Sequence, residues 1–309
     1  MIAALSVGVI YLLLEALIDR RTALILTFAF AFGTATWTTS SQALWPHGAG
    51  VLFILLTLAV MVRLPRLLWL AGAFAGLAVA IRPTNLFFWL AVLLICGRMR
   101  PARTVTLALP GVAIGGAVAA YNVAVFGDLL GGYGPAAANF TVALWPGLAG
   151  SLASPSRGLF VYSPVLLAGF AGVWIAWREG RLWRSPVLGI AALFLVSQLV
   201  CVASWGVWWG GWSYGPRLLT EAAAVLVVLA VPAAERLSSC GSARAAFGAL
   251  LAYSMAVQAL GAAAYGTAGD WNQFPVNVDE RPDRLWEWRD SQLERTARHA
   301  VGGGSAQSR

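Results

Sequence analysis

The chain has 309 residues, 59% of them hydrophobic and 11% charged, with a mean hydropathy of +0.74. A soluble domain carries about 25% charged residues, so the composition excludes an ordinary water-soluble fold and points to an all-α, polytopic membrane protein. The formal charge of +8 is no signal for nucleic acid, because the arginines that produce it follow membrane topology.

Apolar runs recur from end to end. They fall near residues 1–18, 22–38, 49–62, 67–81, 85–97, 104–125, 158–177, 186–204, 218–234 and 245–266. Read by hydropathy and period, they predict about ten membrane helices. Two of them, 67–81 and 85–97, fall short of the roughly 20 residues a full crossing needs and form a helical pair that does not span fully. This divides the chain into a helical membrane domain, 1–266, and a polar tail, 267–309, whose last stretch, GGGSAQSR, has the composition of a disordered segment. Met1 opens directly into an apolar run, without the basic n-region and cleavage site of a signal peptide. Cys96, Cys201 and Cys240 have no metal-ligand spacing and no acidic cluster for a divalent cation is visible; no cofactor is expected, with any metal need left open.

With the N-terminus outside, one set of alternate loops holds Arg20, Arg21, Arg63, Arg66, Arg98, Arg100, Arg103, Arg178, Arg181, Arg184, Arg236 and Arg244. The opposite loops hold only Arg82, Arg157 and Arg217. The positive-inside rule makes the crowded side cytoplasmic, in a plasma (inner) membrane, and places the tail outside.

The three outer arginines share a setting. Arg82 lies in RPTN, Arg157 in SPSRG and Arg217 in YGPR, each just before an apolar run and within two residues of a proline. A fourth outer start, WPHG, offers His47. A helix N-terminus already favours anions through its unpaired N–H groups and dipole. Arginine there opposes the dipole by up to about 1 kcal/mol, so the repetition predicts a bound anion. Arginines snorkelling to lipid headgroups are the competing reading. Glu221 stands four residues after Arg217, a spacing that predicts an ion pair on one helix face and an acid that orients Arg217 toward a phosphate. Its place beside the apolar zone makes Glu221 a catalytic candidate.

Between residues 126 and 157 runs a Gly- and Ala-rich outer loop, read as a mobile, partly helical lid. Asp128 within it is a candidate general base, or a turn cap. The stretch WGVWWGGWSYGPRLLTE follows the 186–204 run. Trp205, Trp208, Trp209, Trp212 and Tyr214 are candidates for stacking on a sugar ring or lipid, against the plainer reading of an interfacial aromatic belt. In the tail, residues 281–295 read as a short interfacial helix with Leu285, Trp286 and Trp288 on the membrane, or as a solvated terminal helix.

Taken together, GLAVAIRPTN (76–85), ALWPHG (43–48), SPSRGLFVYSP, GGWSYGPRLLTE (210–221) and RLWEWRDSQ resemble the GT-C superfamily of membrane glycosyltransferases, which includes protein O-mannosyltransferases and lipid A aminoarabinose transferases. The resemblance implies transfer of a sugar from a polyprenyl-phosphate carrier to a hydroxyl acceptor at the outer face of the membrane. Arg82, Arg157, Arg217 and His47 would hold the carrier phosphate. In that superfamily an acidic residue of the first outer loop acts as base. No such loop precedes the first run here, so on this resemblance the chain lacks the family's N-terminal helices and catalytic loop, through a late start codon, a fragment or real loss, and whether it acts alone is left open. The alternatives are a transporter or flippase for a lipid-linked anion and a non-catalytic membrane scaffold. A transporter calls for ionisable residues at mid-membrane and internal pseudo-symmetry, and neither is visible in the sequence.

Overall fold

A computed structural model describes residues 1–99, 101–133, 139–237 and 240–302, which are helical with no strand among them. The order is α1 (Ile2–Glu15), α2 (Arg20–Phe32), α3 (Pro46–Arg63), α4 (Leu68–Ile81), α5 (Leu86–Met99) and α6 (Pro101–Phe126), then α7 (Leu144–Ala153) and the single turn α8 (Leu159–Tyr162). α9 (Leu167–Arg178), α10 (Pro186–Ser204), α11 (Thr220–Leu229), α12 (Val231–Leu237), α13 (Gly241–Ala263), α14 (Tyr265–Gln273) and α15 (Gln292–Gly302) complete the chain. Arg100, the 134–138 part of the expected lid and residues 303–309 of the expected disordered end lie outside the described residues.

Every expected apolar run holds a helix, but about ten spans is too many. Among the described residues only α3, α6, α10 and α13 are long and apolar enough to cross a membrane, and α11 with α12 adds a fifth if the bent pair counts as one. α1, α4, α5 and α9 are apolar yet shorter, even with the turns that lead into α5 and α9. Hydropathy overcounts because it runs through helix ends that carry no charge. The run 22–38, for example, contains the end of α2 at Phe32 and the start of a separate π-helical turn at Thr36.

The centre of the fold is α11. All ten of its residues are buried. It packs on α2, α3, α9 and α10. Small residues allow the approach: a Cβ on Gly169 or Gly172 of α9 would sit 2.5 Å from the Leu226 carbonyl oxygen or 1.9 Å from that of Leu229. Gly72 does the same for α4 and α6, where a Cβ would lie 2.1 Å from the Leu107 oxygen. A bend of 46° separates α11 from α12, where Pro232 removes a helical donor. α6 packs on α4 and α5 but fully buries only Leu107 and Gly111.

Two irregular segments shape the end of the molecule where α3 begins. The turn Thr36–Ser40 is π-helical, closed by the Ser41 amide on the Thr36 carbonyl at 3.0 Å. Such wide turns are rare and frequently mark functional sites. The chain then reaches Trp45 and enters α3 through Pro46, a residue suited to a first turn. The second segment, 205–216, turns through Gly210, Gly211 and Gly215, all at positive φ.

The tail folds back over that second segment. Leu285 and Trp271 are fully buried and pack with Trp208, Trp209 and Val278. The expected interfacial helix over 281–295 is instead a 3-10 turn, Pro282–Trp286, followed after a break by α15. Trp286 and Trp288 are exposed, but Leu285 is sealed inside the protein, so the three do not share one membrane-facing surface. The sequence boundary at 266/267 falls at the start of α14.

Candidate functional site

Three of the four helix starts converge. α3 begins at Pro46 and carries His47 one residue on. Arg82 ends α4 in an extended conformation and precedes the 3-10 turn Pro83–Asn85. Glu221 lies in the first turn of α11. Glu221 Oε1 accepts a 2.6 Å hydrogen bond from Arg82 Nη1, and Glu221 Oε2 lies 3.0 Å from His47 Nδ1. Arg82 Nη1 is also 2.8 Å from His47 Nδ1. The side chains of Glu221, His47 and Arg82 are 0%, 6% and 10% exposed. Gly50 makes room for the carboxylate, since a Cβ there would lie 3.1 Å from both Glu221 Oε1 and Asn85 Nδ2.

The buried carboxylate is therefore paired twice, as a charge removed from water must be. Arg82 makes its hydrogen bonds here through Nη1, while its Nε and Nη2 have no such partner among the described residues. Asn85 is fully buried; its amide donates to the Ala78 carbonyl at 3.0 Å, and its Oδ1 has no partner among the described residues. Polar capacity thus remains around the cluster after the internal pairs are made.

Arg217 completes the group from the side. Its guanidinium lies 4.0 Å over the Trp45 ring and donates to the Gly210 carbonyl. It does not pair with Glu221, contrary to the i,i+4 expectation. Arg217 sits in a 3-10 turn, Arg217–Leu219, and α11 begins only at Thr220, so the two residues do not share α-helical geometry.

Arg157 has a different part from the one expected. It is 1% exposed and directs all five donors inward. Nε donates to the Trp209 carbonyl (3.0 Å), Nη1 to the Ser156 carbonyl (2.8 Å) and Gln292 Oε1 (2.6 Å), and Nη2 to the Gly211 carbonyl (3.2 Å) and Asn272 Oδ1 (2.6 Å). No donor is left for a carrier phosphate, so Arg157 is a structural tie between the 205–216 segment and the tail. Burial lowers its guanidinium to about 10, still protonated at neutral pH.

The aromatic residues are likewise spent on the protein itself, with one exception. Trp208 and Trp209 are buried against Trp271, and Trp209 donates to Asp279 at 2.8 Å. Tyr214 is buried, edge-on to Tyr162, and donates to the Val257 carbonyl at 2.9 Å. Trp205 packs edge-on to Phe140. Trp212 alone of the five keeps a large exposed face, 45% of its surface. Stacking on a sugar is closed to Trp208 and Trp209, which the tail covers, and to Tyr214, which Tyr162 and α13 cover. Asp128 accepts the Leu130 amide at 2.7 Å, which is the turn cap and leaves it with no link to the cluster. Among the described residues no three His, Cys, Asp or Glu side chains gather as metal ligands.

Sequence reasoning did not single out Trp45, Gly50, Asn85, Asn272 or Gln292. Trp45 and Asn85 stand inside the quoted motifs ALWPHG and RPTN, so a signal was present. Gln292, which touches Arg157, Ser213, Gly215 and Ser156, closes the quoted motif RLWEWRDSQ, but nothing in that motif ties it to Arg157.

Beside α10 lies an apolar groove of about 760 Å³, lined by Phe87, Phe140, Trp183, Val196, Val200 and Ser204 among others. On the same stretch of α10, the Gln198 amide donates to the Leu218 carbonyl at 3.4 Å, one residue after Arg217. No protein family, no curated protein and no solved structure matches this chain.

Proposed function

We propose that this chain is a membrane glycosyltransferase, or the carrier-binding portion of one, that holds a polyprenyl-phosphate sugar at the outer face of the membrane and passes the sugar to a hydroxyl acceptor. The observation that carries this reading is the pairing of His47 and Arg82 on one buried carboxylate, with Arg82 retaining unused donors and Arg217 held over Trp45, two residues before His47. A phosphate is the natural ligand for such donors, because a guanidinium offers it paired, charge-assisted hydrogen bonds. The groove along α10 gives an apolar chain a surface to lie on, with the charged cluster near one end. Sidedness follows from the arginine bias, which puts the α3 and α11 starts outside. Arg157 has no part in ligand binding.

Binding of undecaprenyl phosphate to the protein in lipid nanodiscs tests the reading, with undecaprenol as the uncharged control. The phosphate should bind and the alcohol should not compete with it. Arg217→Ala should weaken binding about tenfold, corresponding to one charge-assisted hydrogen bond of roughly 1.4 kcal/mol. Equal binding of the two lipids, or full affinity in both Arg217→Ala and Arg82→Gln, overturns the proposal.

A further inference from the structure

His47 Nδ1 faces a donor and an acceptor and can satisfy only one of them. Nδ1 lies 3.0 Å from a carboxylate oxygen and 2.8 Å from an arginine nitrogen. A guanidinium only donates and a carboxylate only accepts, so Nδ1 either gives a proton to Glu221 or takes a hydrogen bond from Arg82. Glu221 decides between them. Its Oε1 is already served by Arg82, while its Oε2 has no other donor than His47 among the described residues. Leaving a fully buried carboxylate oxygen facing an imidazole lone pair is the costlier arrangement, since an unmet charged acceptor loses more than an unmet neutral one. The Nδ1–H therefore belongs on Glu221.

That assignment leaves Nε2 unprotonated and without a hydrogen-bond partner among the described residues, on a side chain that keeps 6% of its surface open. A carboxylate fixing one imidazole nitrogen so that the other can take a proton is the general arrangement of an activated histidine base. We propose that His47 is the proton-transfer group of this site, with Glu221 as its positioning residue. The proposal rests on the carrier-phosphate reading above. In the step it implies, the acceptor hydroxyl gives its proton to Nε2 as its oxygen bonds to the anomeric carbon. The bond between that carbon and the phosphate oxygen breaks, and its electron pair leaves with the polyprenyl phosphate. Glu221 stabilises the imidazolium, and Arg82 and Arg217 stabilise the charge on the leaving phosphate. His47 moves from phosphate binding, its place in the sequence reading, to base. Glu221 acts through it and not on substrate.

The chain has two histidines, His47 and His299, so the test can be direct. Protein labelled with 15N-histidine, in nanodiscs, gives two imidazole spin systems, and His299→Gln identifies which is His47. The expected neutral form is Nδ1–H, passing partly to Nε2–H in Glu221→Gln. An Nε2–H tautomer in the native protein overturns the proposal. Diethylpyrocarbonate supplies a second readout in the His299→Gln protein. Modification of His47 should slow about tenfold with undecaprenyl phosphate at about ten times its Kd, by simple occupancy. Unchanged modification with the lipid bound also overturns the proposal. Failure of the lipid to bind a protein that shows the Nδ1–H tautomer sinks the carrier-phosphate reading instead, so the two failures are distinct.

Discussion

Glu221 accepts its shortest hydrogen bond, 2.6 Å, from Arg82, a residue 139 positions earlier in the chain, and not from Arg217 four positions away. The pairing ties α11 to the end of α4, and His47 adds the start of α3 to the same carboxylate. One acidic side chain thus sets the relative position of three helix ends.

Removing that carboxylate should be costly out of proportion to its size. Glu221→Ala leaves Arg82 buried without its partner, and breaking a buried ion pair from one side costs on the order of 3–5 kcal/mol. Arg82→Met combined with Glu221→Leu should cost clearly less than the sum of the two single changes, because no uncompensated charge remains. Unfolding of the four proteins in mixed detergent micelles measures the coupling. Additive losses would show that the pair is not a unit.

Arg157 should tolerate no replacement, lysine included. An ammonium has three donors in place of five, so at least two of the five hydrogen bonds to Asn272, Gln292 and the carbonyls of Trp209, Gly211 and Ser156 are lost. At roughly 1–3 kcal/mol for each, Arg157→Lys should lower the unfolding midpoint and expose the tail to limited proteolysis. A lysine variant with native stability and native protease resistance contradicts the role assigned here.

At the opposite end of the chain's helices, Glu179 bonds with Arg236 and Arg181, and Arg181 also pairs with Glu235. The hydrogen bond from Arg236, and then that from Arg181, holds the Glu179 carboxyl below its ordinary value. A carboxylate depressed on folding adds stability above its ordinary pKa and loses it as pH falls through the folded value. The wild type should therefore exceed Glu179→Gln in thermal stability near neutrality, and the difference should close in acid. A difference that persists in acid would point to packing, not charge.

Cys240 is exposed, whereas Cys96 is partly buried and Cys201 is buried. It lies between Arg236 and Arg244, on the arginine-rich side. A membrane-impermeant maleimide should label it in inside-out vesicles and not in intact spheroplasts. Labelling from the outside reverses the orientation and moves the His47 cluster to the cytoplasm.

The positions of the helices could be read from apolar runs because lipid-exposed and buried faces are both apolar, and the run 186–204 matches α10 to the residue. Span count could not, for the same reason: an uncharged connector looks like more helix. Of the proline-flanked starts, those of His47 and Arg82 meet on Glu221, and Arg217 lies over Trp45, two residues before His47. The same signal misjudged Arg157, whose local setting is the same. What separates Arg157 from the others is a pair of side-chain amides, Asn272 and Gln292, that lie 115 and 135 residues further on. Amides carry no charge and no periodicity, so nothing local announces them. The tryptophans show the same limit. A flat amphipathic ring stacks equally well on a sugar or on a neighbouring ring, and only the returning tail settled which.

The tie between Arg157 and Gln292 also orders biogenesis. Ribosomes deliver Arg157 long before its partner, so a guanidinium meant for a sealed niche must wait, hydrated, until α15 has been made and brought to it. That surface therefore cannot close before α15 exists, and a chain truncated ahead of Gln292 should be cut more readily by proteases around Arg157.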